Sequence, residues 1–155
     1  VLGLLLNPFT ESFMLEIRNV HLSDSESIAG LMTQLGYPTS EDEMNERLTR
    51  LLPSTSRHCY LAIFDGTVAG FIAMDVNPYF EKNSYYGRIL ALVVDDRFRG
   101  QKIGERLVEK SEIWFLEQNA TEVLVNSHVK RTAAHRFYEK LGYDKTGFRF
   151  VKKIS

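Results

Sequence analysis

Between Gly87 and Lys110 the chain reads GRILALVVDDRFRGQKIGERLVEK. An apolar run ends at Asp95 and Asp96, a basic stretch containing Gly100 and Gly104 follows, and from Lys102 onward the apolar residues recur at helical spacing. A strand that must turn into a helix leaves the first N–H groups of that helix without partners, and the helix dipole adds partial positive charge at the same end. Gly100 and Gly104 let a bulky group approach the main chain, and Arg99 and Lys102 add charge around it, so a phosphate or pyrophosphate is the natural occupant. The P-loop pattern fails, because no Gly-Lys-Ser/Thr closes it, and the three-glycine dinucleotide fingerprint fails as well. The same two glycines would also serve a tight turn with nothing bound.

Periodicity fills in the rest of the chain. LEIRNV alternates as a strand; Ser23 and Glu26 stand at capping-box spacing ahead of a helix that Gly36 stops, and Ser40 with Glu43 opens a second helix that Pro53 ends. HCYLAIF and TVAGFIAMDV flank Asp65-Gly66, a strong hairpin signal, and GRILALVV is apolar enough to be central in a sheet. The spacing predicts an amphipathic helix from Lys102 to Gln118, a short strand in TEVLVNS, a helix in RTAAHRFYEKLG, and a closing alternating strand in GFRFVKKI. The order β-α-α-β-β-β-α-β-α-β implies an α+β domain on a mixed, mostly antiparallel sheet flanked by helices. Met14 looks like the start of that domain, giving residues 14–155, with residues 1–13 an upstream extension that has neither the basic flank of a signal peptide nor spanning length.

Nineteen basic against twenty acidic side chains leave a net charge of −1, which gives no overall cationic field for nucleic acid. No membrane association is expected either. Cys59 is the only cysteine and sits in an apolar run, so a reducing, cytoplasmic setting follows without disulfides. No pair of histidines with cysteine or carboxylate shows metal-ligand spacing, and no metal is expected.

The run LVVDDRFRGQKIGERLVEK, the strand after it and RTAAHRFYEKLGYDKTGFRF together resemble the GNAT family of acyl-CoA-dependent N-acyltransferases, whose pyrophosphate turn reads Arg/Gln-x-x-Gly-x-Gly/Ala. The resemblance implies the GNAT fold, acetyl-CoA as co-substrate and a small-molecule or peptide amine as acceptor. It also implies that Arg99, Gly100, Gln101, Lys102, Ile103 and Gly104 hold the diphosphate, with Lys102 where the first motif glycine is usual. Leu92, Val93 and Val94 would offer main-chain groups to the pantetheine arm. His128 occupies a position that is commonly a cofactor-contacting asparagine, so Asn126 or Ser127 is expected to supply that contact.

Acetyl transfer to an amine needs a neutral nitrogen, donors for the tetrahedral oxyanion and a proton for the departing thiolate. By resemblance, Tyr138 is the acid beside the sulfur. Its bland alternative is a core tyrosine on a helix stripe with Phe137 and Leu141. Cys59 has no partner base in the sequence, which points to direct attack rather than a covalent carrier. Glu41, Asp42, Glu43 and Glu46, with Tyr79, Phe80, Glu81, Tyr85 and Tyr86, would line a site for a cationic amine, or else form a solvated helix face and a self-packed loop. The rival function is a non-catalytic acyl-CoA-binding regulatory module. The closing strand, with Phe148, Phe150 and Val151, is a candidate for pairing across a homodimer.

Overall fold

The computed structural model describes residues 13–155. The expected extension at residues 1–13 lies outside these residues except for Phe13, whose ring stacks on Phe64 at 5.4 Å. The elements run β1 (Leu15–Asn19), α1 (Ser25–Leu35), α2 (Glu41–Leu51), β2 (Arg57–Phe64), β3 (Thr67–Pro78), β4 (Tyr85–Val94), α3 (Ile103–Glu117), β5 (Ala120–Val125) and α4 (Thr132–Lys140). One sheet takes the strands in chain order, antiparallel from β1 to β4 and parallel between β4 and β5. The parallel pair needs a crossover, and α3 provides it.

Apolar alternation decides which helix covers which face. Ile72, Met74, Leu107, Val108 and Phe115 form a core between the sheet and α3, while Ile28, Leu31, Leu48, Leu61, Phe71 and Val93 form a second core beneath α1 and α2. Asp65 and Gly66 both take positive φ, 47° and 81°, as a two-residue hairpin requires. Ser40 and Glu43 cap α2 reciprocally: the Glu43 N–H donates to Ser40 Oγ at 3.2 Å and the Ser40 N–H to the Glu43 carboxylate at 2.8 Å.

Two expectations need correction. Helix α1 does not begin at a Ser23/Glu26 box. A 3-10 turn at Leu22–Asp24 precedes it, and the Asp24 carboxylate accepts the His21 N–H at 2.8 Å and both ends of the Arg18 guanidinium at 2.8 and 2.9 Å. A charge-assisted acceptor outcompetes a serine hydroxyl there, and Arg18 comes from β1, outside the local pattern. The closing strand in GFRFVKKI also does not form. Residues 144–155 have no regular structure and are exposed throughout. Alternation suits a strand, but the ladder needs a neighbour, and none is within reach of this segment.

Gly87 on β4 faces the Phe115 ring, and a Cβ at that position would overlap the ring atoms. Gly87→Ala should therefore force α3 off the sheet, lowering stability by about 1–3 kcal/mol. In thermal denaturation this corresponds to a Tm drop of roughly 3–10 °C; an unchanged Tm would show that the ring moves aside freely.

Candidate functional site

The site begins with an irregularity in β4. Met74 pairs with Ile89 and Ala73 with Ala91, so Leu90 is an extra residue, and such a bulge bends its strand. β5 ends its pairing there as well, with Val125 opposite Ile89. Beyond that point β4 keeps β3 on one side and, among the described residues, has no strand on the other. The Asp95 N–H donates to Ala69 O at 2.8 Å, which fixes the alternation: the main-chain groups of Val93 turn toward β3 and those of Leu92 and Val94 toward the gap.

At the end of this open edge the chain makes its turn into α3. Gly100 takes φ +79° and Lys102 φ +60°, so Lys102 adopts the left-handed conformation that a glycine would enter without cost. Among the described residues no acceptor takes the N–H groups of Gln101, Lys102, Ile103, Gly104 or Glu105; the first paired amide is that of Arg106, which donates to Lys102 O at 3.1 Å. Ile103 is buried and anchors the turn, while Gln101 and Lys102 face solvent. Arg99 is exposed and pairs with Asp96 at 2.7 Å. The result is an open nest of backbone donors at a helix start, a binding surface for an anion.

Asp95 braces this turn from inside. Its buried carboxylate accepts the Arg97 N–H at 2.9 Å, the Arg97 guanidinium at 3.0 Å and the Gln34 amide at 3.3 Å. Gln34 Oε1 in turn accepts the Asp96 N–H at 3.0 Å, which ties α1 to the loop. The Arg97 guanidinium, aided by these N–H donors, holds the Asp95 carboxyl down at about 2. Sequence reasoning missed Gln34 and Asp95, because Gln34 is remote in the chain.

Across the gap, Asn126 is exposed, and Ser127 Oγ is buried with no hydrogen-bond partner among the described residues. His128 shapes the loop before α4: its Nδ1 accepts the Lys130 N–H at 3.1 Å, which leaves Nε2 to carry the proton. Tyr138 packs edge-on against Phe137 and Tyr143, and burial raises its phenol to about 12, with Arg131 pulling weakly the other way. Tyr143, also raised by burial, donates to Glu112 at 2.9 Å.

On the opposite face, a cavity of about 300 Å³ lies between the C-terminal end of α2 and the sheet and reaches the bulge; Asn19, Leu52, Arg57, Cys59, Ala73 and Leu90 are among its lining. The acidic and aromatic residues expected to line an acceptor site are not among the lining of this cavity. Glu43 is spent on its cap, and Tyr79 packs against Tyr86 and donates to Glu122 at 2.6 Å, while Phe80 in the same loop is fully exposed. Arg88 binds Asp75 through two bonds of 2.9 and 2.5 Å, whereas Arg57 has no ion-pair partner among the described residues. Burial raises the Cys59 thiol to about 11.

Comparison with known proteins points to one family. The model of the acetyltransferase (GNAT) family matches residues 23–143. The aminoalkylphosphonate N-acetyltransferase of Salmonella typhimurium is 31% identical over 144 residues, covering 90% of this chain and 91% of its own. A solved GNAT family acetyltransferase from Staphylococcus aureus is 28% identical with a TM-score of 0.78, covering 90% of this chain and 98% of its own. The aminoglycoside N-acetyltransferase AAC(6')-Iy, solved in complex with CoA, shares the fold at 18% identity and a TM-score of 0.84, covering 95% of this chain and 99% of its own.

The Asp95 brace has an acid signature. A carboxyl held below its ordinary 3.8 contributes stability that is fully present above about pH 4 and is lost as pH falls toward 2. Asp95→Asn should cost about 1–2 kcal/mol at pH 7. In urea unfolding across pH, that difference from the unaltered chain should close between pH 4 and 2.

Proposed function

The chain belongs to the acetyltransferase (GNAT) family and transfers an acetyl group from acetyl-CoA to an amine; on that premise we propose that its acceptor is a short primary amine whose other end carries an anion. Arg57 carries this reading: an exposed guanidinium on the rim of a cavity that reaches β4 at Leu90, without a carboxylate to neutralise it among the described residues. The Salmonella relative is named for aminoalkylphosphonates, molecules of that build. A planar guanidinium suits a phosphonate or carboxylate through paired hydrogen bonds. The likenesses offer no support for a non-catalytic acyl-CoA-binding module.

Several features of the chain fit the donor. The unpaired amides of Gln101–Glu105 suit its diphosphate, with Arg99, Gly100 and Lys102 shaping the turn. The free edge at Leu92 and Val94 suits the amides of the pantetheine arm, and Val93 supports that edge through β3. Asn126 and the partnerless Ser127 hydroxyl suit the same arm from the β5 side. Bound acetyl-CoA supplies the acyl carbon and a thiolate leaving group. Tyr138 is protonated at neutral pH and serves as the donor beside the sulfur. Cys59 stays a thiol, in keeping with direct attack by the amine.

The reading extends to setting and partners. A lone half-buried cysteine suits the cytoplasm, and the near-zero net charge gives no reason to expect nucleic acid. No helix among the described residues is long and apolar enough to cross a membrane. The macromolecular partner in this reading is a second copy of the chain, as a homodimer.

Thiol release from acetyl-CoA tests the acceptor class. Arg57→Ala should raise KM for a short aminoalkylphosphonate at least tenfold and leave the rate with the matching neutral alkylamine unchanged; equal effects on both would remove Arg57 from recognition. Tyr138→Phe should lower kcat by about 10²-fold or more with little change in acetyl-CoA affinity. At Gly104 a Cβ would only touch Phe137 and Val94 at 3.4 and 3.5 Å, so Gly104→Ala should fold normally. Gly104→Glu should abolish binding of acetyl-CoA in calorimetry, and retained affinity would count against the diphosphate nest.

A further inference from the structure

Three charged residues stand in a row across the sheet. Arg57 on β2 is opposite Asp75 on β3, and Asp75 is opposite Arg88 on β4. Partners on antiparallel strands share a face, and the next pair along that face, Cys59 with Ala73, packs against the core beneath α1 and α2. The row therefore borders the cavity of about 300 Å³, whose lining includes Arg57, Cys59, Ala73 and, two residues on from Arg88, Leu90.

Asp75 decides how the two guanidinium groups are used. It is 3% exposed, and its carboxylate accepts Asn77 Nδ2 at 2.9 Å, Arg88 Nε at 2.9 Å and Arg88 Nη2 at 2.5 Å. Arg57, directly opposite, is left out of the pair. The side-on fork draws the Arg88 guanidinium toward β3, the strand that separates it from Arg57, and leaves its Nη1 without an acceptor among the described residues. The Arg88 side chain is still 40% exposed. A buried carboxylate on a strand carries a desolvation cost that an apolar residue would avoid. What this one yields is a guanidinium fixed beside the cavity.

We propose that Arg88, positioned by Asp75, is the second anion contact of the acceptor site, and that Arg57 and Arg88 together select a three-oxygen phosphonate over a planar carboxylate. This rests on the reading in which Arg57 receives the anionic end of the acceptor amine. One guanidinium satisfies both oxygens of a carboxylate through paired bonds. A phosphonate has a third oxygen out of that plane, which needs a donor from a second direction. Arg88 offers one across two strand spacings, about 10 Å between main chains, a gap that two long side chains close over a small tetrahedral ion. Asp75 between them offsets the repulsion of two like charges, so both can stand close before the ligand arrives.

Steady-state kinetics with two acceptors of equal chain length, an aminoalkylphosphonate and the matching amino carboxylate, tests the assignment. Arg88→Lys keeps a charge beside Asp75 but lacks the free Nη1; it should raise KM for the phosphonate about tenfold and leave KM for the carboxylate nearly unmoved. Asp75→Asn combined with Arg88→Gln removes the buried pair as a unit, so that no carboxylate is left unpaired, and should give the same split. Each variant should keep its thermal shift with acetyl-CoA, which reports an intact fold and donor site. Equal changes in KM for both acceptors, or no change in either, would overturn the role of Arg88 and leave it only the structural partner of Asp75. Arg57→Ala separates the two levels. A rise in KM for both anionic acceptors, but not for a neutral alkylamine, keeps the reading of the acceptor site even where Arg88 fails; without that rise both fall.

Discussion

The functional architecture depends on β4 having a parallel neighbour for only half its length. The extra residue at Leu90 bends the strand just where β5 runs out, so from Leu90 to Val94 one edge of a central strand is left open. In a buried position that would be costly, because main-chain groups without partners lose their hydrogen bonds to water and gain none. Here the gap is open, and in the proposed function the same groups meet the amides of the pantetheine arm. The turn from Asp95 to Lys102 joins β4 to α3, so the unpaired amides of the helix start follow the open edge in the chain.

A track made of backbone is useful only if it is rigid, and the surrounding side chains supply that rigidity. Asp95 sits at the hinge between strand and turn with its carboxylate fully engaged, and Gln34 extends the brace to α1. Ile103 plugs the turn into the core, and the Phe115 ring seats α3 against Gly87. Lys102 is held at φ +60° by this surrounding structure, a conformation costing about 1–2 kcal/mol in a residue with a Cβ. Such a cost is sustained where the loop is over-determined, which lowers the ordering a ligand must impose.

Legibility in the sequence followed the range of each interaction. The Asp65-Gly66 hairpin, the Ser40/Glu43 cap and the turn at Gly100 are decided by neighbours within a few residues, and all three could be read directly. The start of α1 could not, because Arg18 on β1 recruits Asp24 and overrides the local Ser23 pattern. The Leu90 bulge has no local mark either: RILALVV reads as an unbroken strand, and only its register against β3 and β5 reveals the extra residue. Arg57, Leu90 and Leu52 meet through tertiary packing alone, so the cavity beneath α2 was invisible in the sequence. GFRFVKKI showed the right period for a strand, but a period cannot supply the partner that turns an extended segment into one.

Two phenols stand side by side at the end of the chain's last helix, and their partners separate them. Tyr143 already donates its proton to Glu112, which commits it to holding the loop after α4 against α3. Tyr138 has no such acceptor among the described residues, so its proton is the uncommitted one. Burial holds this phenol well above a thiol near 8.5, so complete transfer to a thiolate would run uphill. In the proposed role Tyr138 therefore works first as a hydrogen-bond donor that steadies charge building on sulfur. Full proton release requires positive charge to lower the phenol, and Arg131, at the start of the same helix, is the residue already pulling in that direction.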